Sequence, residues 1–165
     1  MEQVCALNEL YLKQLSDQWE LLDTKERLLP RNLYLCMPSR AAWDTRFGGG
    51  REARGIAEAF SAARGSLTDG LYMAALADTL EHMNIQLYEH YRVLADLLLE
   101  GAQKALPAAD ARVLYAVLKG VRLGLLDPER YLPEVRRAVE NLTPDGQDAD
   151  FLRLARDEYG RTAPR

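Results

Sequence analysis

One segment limits the fold of this chain more than any other: residues 66 to 105, SLTDGLYMAALADTLEHMNIQLYEHYRVLADLLLEGAQKA. Met73, Leu76, Leu80, Met83, Leu87, His90, Leu94 and Leu97 recur at alternating intervals of three and four, the spacing that lines up side chains along one side of an α-helix. Asp78, His82, Glu89, Arg92, Asp96 and Glu100 form a polar stripe on the far side, interrupted by Ile85. Tyr72, Tyr88, Val93, Leu98 and Leu99 widen the apolar region beyond a coiled-coil seam, so the segment needs more than one neighbour to cover it. Ser66 and Thr68 offer caps, Asp69 offers negative charge to the helix start, and Gly101 and Pro107 mark an end. The spacing predicts one long central helix over about 67–105, of which Asp69 to Glu100 alone would span roughly 48 Å.

The segments on either side read as shorter helices. Val4, Leu7, Tyr11, Leu15, Trp19 and Leu22 predict a first helix over 3–22, and Asp23 with Glu26 resembles a reciprocal cap for the turn that Pro30 ends. Residues 31–38, RNLYLCMP, close on a proline and are expected to cross the core extended. A brief helix capped by Ser39 and ended by Gly48 to Gly50 follows, then a light helix from Arg51 to Arg64. Pro107 opens a strong helix carrying Val113, Leu114, Val117, Leu118, Val121 and Leu125. Asp127 and Pro128 start a turn at 128–131, Pro133 restarts the helix to Leu142, Thr143 to Gly146 form a turn, and a last helix covers about 149–158. The reading is all-α: an irregular bundle of about five to seven helices around one long central helix, a single domain over 1–165 with 160–165 as a frayed tail.

A chain of 165 residues, 48% apolar and 28% charged, has enough material for one such core and no apolar run long enough to cross a membrane. With no signal-like start, the expected location is cytoplasmic. Cys5 and Cys36 are its only cysteines, read as reduced thiols, and no cofactor is expected. The net charge of −4 makes nucleic acid an unlikely partner by sign alone, yet residues 31–65 hold six bases against three acids.

Three functional classes follow. The first is a non-enzymatic one, association with another protein or a second copy of the chain, because the central helix is apolar over more of its surface than its alanine-rich companions can cover. Tyr88, Tyr91, Leu94, Leu97, Leu98 and Leu99 are the residues expected to meet that partner. The second is phosphate or nucleic-acid binding by the basic glycine-rich segment 40–54, through Arg40, Arg46, Arg51 and Arg54 near Trp43 and Phe47. The segment lacks the Gly-Lys-Ser/Thr ending of a nucleotide-binding loop, and Asp44, Glu52 and Glu58 dilute its charge. The third is a metal-dependent enzyme using His82 or His90 with helix carboxylates, although the histidines are eight residues apart and neither has a glutamate three positions before it.

Overall fold

The computed structural model describes residues 2–142 and 149–162, leaving aside the side chains of 2–7 and 108. Among them are eight α-helices: α1 Glu2–Gln18, α2 Pro30–Trp43, α3 Ala53–Ala62, α4 Gly70–His82, α5 Tyr88–Ala105, α6 Ala111–Arg122, α7 Pro128–Asn141 and α8 Ala149–Thr162. The described residues form no strand, and the all-α bundle read from the sequence is the fold.

The expected central rod is two helices. Asp69 caps the first, its carboxylate accepting from the amides of Leu71 at 2.8 Å and Tyr72 at 3.3 Å. That helix stops at His82, because Met83 swings to an extended ψ of 144°. Asn84 then folds its own side chain onto the Gln86 amide at 2.9 Å, a turn that competes with helix continuation. The chain restarts at Tyr88 and packs back against its first half, so α4 and α5 are neighbours. Gly101 does not end α5. It lies inside the helix, where a side chain would strike Met73 Sδ, and its bareness lets the two halves close on each other.

The hub is therefore α4 alone, which packs against α2, α5 and α6. Tyr72, Met73, Ala74, Ala75, Leu76, Ala77 and Leu80 are all buried, the pattern of a helix enclosed on every side. Tyr72 donates its hydroxyl hydrogen to the Phe60 carbonyl at 2.7 Å and meets the Phe60 ring edge-on at 5.6 Å, tying α3 to the hub. Outside this inner group, α1 lies on α2, α3 on α5, and α7 and α8 on α6.

Two other expectations change. Residues 31–38 are helical, because Leu33, Cys36, Met37 and Ala41 are buried at helical spacing and Pro30 occupies the first turn, where its missing N–H is no loss. Pro38 sits inside α2, and Pro133 inside α7, which is continuous from 128 to 141. Pro133 is exposed on the solvent side of α7, so water can satisfy the Glu129 carbonyl that it leaves free. Pro107 belongs to a separate single turn, Leu106–Ala108, and Asp110 caps α6 through the amides of Arg112 and Val113, both at 3.0 Å.

Asp23 and Glu26 do cap reciprocally, at 2.9 and 2.8 Å. The last helix runs on to Thr162, so 160–162 are not a tail. The expected turn at 143–146 and residues 163–165 lie outside the described residues. No helix is long and apolar enough to cross a membrane among the described residues.

Candidate functional site

The residues expected to meet a partner divide sharply. Tyr91, Leu94, Leu97 and Leu98 are buried, because folding α5 back on α4 and covering it with α3 and α6 turns their side chains into the core. They are core residues and present no surface. Leu99 is 38% exposed and Tyr88 is 62% exposed at the first turn of α5.

Tyr88 belongs to an end of the bundle that the break between α4 and α5 creates. Beyond Trp43 the chain widens into one π-helical turn, Asp44–Gly48, a local geometry that recurs at functional sites. Thr45 Oγ1 donates to the His82 carbonyl at 2.7 Å, which fastens this turn to the end of α4. Gly50, at φ 83°, lies so close to Leu87 that a side chain there would collide with it. Segments 44–50 and 82–88 are thus locked together, and each leaves bulky apolar side chains in water: Phe47 is 50% exposed and Ile85 is 63% exposed. Trp43 is half-buried beside them, its ring 4.4 Å from that of Phe47, with Lys13 on it at 5.7 Å.

The four arginines of the glycine-rich segment do not act together. Arg40 turns inward, donating to Glu52 Oε2 at 2.6 Å, Glu20 Oε1 at 2.6 Å and the Ser16 carbonyl at 3.2 Å, and so binds α1, α2 and the start of α3. Arg54 pairs with Glu58 at 2.8 Å. Arg51 Nε donates to the Gly48 carbonyl at 2.8 Å, while Arg46 and Arg51 are exposed and make no ion pair among the described residues. Asp44 is 3% exposed, and its Oδ2 accepts from the Glu52 amide at 3.1 Å. The start of α3 is therefore already occupied by a carboxylate of the chain itself, where a phosphate would otherwise sit.

The histidines separate. His82 is exposed at the end of α4, and His90 is half-buried in the first turn of α5. Among the described residues, no three His, Cys, Asp or Glu side chains converge to hold a metal.

A second constellation joins α4, α6 and α8. Lys119 is only 5% exposed, with its ammonium 2.6 Å from Asp78 Oδ1 and in contact with Glu81. Tyr115 donates to the same Asp78 oxygen at 2.5 Å, and Arg122 joins Glu81 at 2.8 Å to buried Glu158 at 2.6 Å. Burial pushes Lys119 down, but Asp78 and Glu81 outweigh it and hold the ammonium above the ordinary lysine range. For Glu81, burial pushes upward, and the hydrogen bonds from Lys119 and Arg122 prevail and keep it below the usual carboxylate range. Every charge here is answered by another, and the cluster fastens helices together. The sequence carries no signal for it: Lys119 falls opposite the apolar stripe of α6, on the same side as Arg112 and Arg122, and reads as a solvent-facing charge.

A cleft of about 400 Å³ opens between the turns after α1 and the outer face of α3, where Arg27 lies over the Trp19 ring at 5.3 Å. Its arginines and glutamates pair largely with each other. Comparison of the chain with protein-family models, with curated proteins and with solved structures gave no match.

Proposed function

We propose that the protein works by association, holding another protein or a second copy of itself at the bundle end formed by the π-helical turn and the link between α4 and α5, without chemistry of its own. The observation that carries this reading is the exposure of Phe47, Ile85 and Tyr88 on two segments that specific contacts pin together. Bulky apolar side chains on a fixed frame can bury area in a partner without the ordering cost a loose loop would add. Leu10 and Tyr11 on the outer side of α1 are exposed too, but they come from one helix with no such frame.

Phosphate or nucleic-acid binding through 40–54 draws less support, since Arg40 and Arg54 are engaged within the chain. A photo-crosslinking residue placed at 47, 85 or 88 in the cells that make the protein tests the association reading. The expected result is a discrete crosslinked species from these positions and none from position 153, where Arg153 is exposed on α8. Equal crosslinking from position 153, or none from 47, 85 and 88, would remove the reading.

A further inference from the structure

Resting on that reading, we infer that the partner presents an acidic segment, carboxylates flanking one or two bulky apolar anchors, with the anchors meeting Phe47, Ile85 and Tyr88 and the carboxylates meeting Arg46 and Arg51. The inference comes from the unequal fates of the arginines. Arg40 and Arg54 have carboxylate partners, whereas Arg46 and Arg51 stand exposed beside Phe47 with none among the described residues. The bond from Arg51 Nε to the Gly48 carbonyl holds that side chain along the turn while its terminal nitrogens remain available. The one acid within the turn, Asp44, is buried and directed at the Glu52 amide, so it offers these guanidinium groups no outward partner. A planar guanidinium takes a carboxylate through two parallel hydrogen bonds, which gives direction as well as affinity.

Glu89 is exposed one residue after Tyr88, and its like charge keeps the acidic part of the partner off the start of α5 and favours 46–51. A nucleic acid fits less well. Two available arginines neutralise few phosphates on a chain of net charge −4, and Glu89 repels a phosphate backbone. The Trp43 ring, one platform on which a base could stack, already has Phe47 on it at 4.4 Å and Lys13 nearby.

The test uses the full chain against a displayed library of random peptides, with a random single-stranded DNA pool run in parallel. Selected peptides should carry Asp or Glu beside aromatic or aliphatic residues. Reversing both charges, Arg46→Glu with Arg51→Glu, should weaken the best of them about tenfold or more, and salt should weaken it too. Phe47→Ser with Ile85→Ser should abolish binding; circular dichroism verifies that the variants fold. Peptides enriched without acidic bias, but still lost on Phe47→Ser with Ile85→Ser, would overturn the acidic partner and leave association standing. No enrichment at all would count against both. Tighter binding of the DNA pool, lost with the arginines, would replace the peptide by a nucleic acid.

Discussion

Lys119 Nζ lies 2.6 Å from Asp78 Oδ1 and 3.0 Å from the Tyr115 hydroxyl, a cation from α6 set against an anion from α4 with almost no water between them. Its attraction repays the desolvation of both ions only while every partner is present, so removing one leaves the other uncompensated. Lys119→Met should lower the unfolding free energy by about 3 kcal/mol, read by urea titration. Arg54→Ala, which removes an exposed pair with Glu58, should leave the midpoint unchanged.

Stability should fall at both ends of the pH scale. Glu81 has a folded-state pKa held below its unfolded value, so its contribution is present above about pH 4.3 and is lost as pH falls through the lower, folded-state value. At the alkaline end, burial raises Tyr72 and Tyr115, and for Tyr115 the nearby Asp78 adds to it. Their contribution is present below about pH 10 and is lost as pH rises beyond that, because only the unfolded chain can then ionise them. Urea midpoints of Glu81→Gln should show a shallower acid limb than the parent, and Tyr115→Phe a shallower alkaline one. Identical limbs would contradict the cluster.

Leu98 and Leu99 are adjacent on α5 and should behave differently. Leu98 is fully buried, so Leu98→Ala should cost about 3 kcal/mol. Leu99→Ala, at a partly exposed site, should cost much less. Equal losses in thermal or chemical unfolding would mean that α5 is rotated from its described position.

Gly50 combines a φ of 83° with the closeness of Leu87. Gly50→Ala adds a strained backbone to a clash and should destabilise by about 2 kcal/mol. Gly49→Ala, at φ 67° with open space around it, should lose only the backbone part, about 1 kcal/mol. Differential scanning calorimetry separates the two. Because Gly50 seats the turn that carries Phe47, its variant should also weaken partner crosslinking from position 47.

Ile85→Ser and Tyr88→Ser should each alter stability by less than about 0.5 kcal/mol, since these side chains are mostly exposed, whereas Phe47→Ser also gives up its ring contact with Trp43 and should cost about 1 kcal/mol. Partner binding should suffer strongly. A large loss of stability at any of the three would make that residue part of the core instead.

The sequence carried the helical class plainly, because periodicity at three and four is local and strong in most of the helices. What it hid was decided by single residues acting against that pattern. Asn84 folds its own side chain into a turn between two stretches that both favour helix, and no spacing rule marks the interruption. The same break buried Tyr91, Leu94, Leu97 and Leu98, which on one straight rod could have stayed uncovered. At 31–38 the error ran the other way: the closing proline at 38 suggested extended chain, although Leu33, Cys36, Met37 and Ala41 already had helical spacing. Ile85 had a signal, as the apolar interruption of a polar stripe. The pairing of Arg40 with Glu20 and Glu52 needed three dimensions, since it joins residues far apart in the chain.

The placement of α4 bears on how the chain is made. Its partners α2 and α6 come from opposite halves of the sequence, so during synthesis α1 and α2 can meet each other but the face of α2 that α4 covers stays bare until Gly70–His82 has emerged, and that helix in turn waits for Ala111–Arg122. A nascent chain stopped at Ala105 would still show one bare flank of α4. Fragments divided at Asn84 should therefore aggregate when expressed singly and be recovered only when both are produced in the same cell.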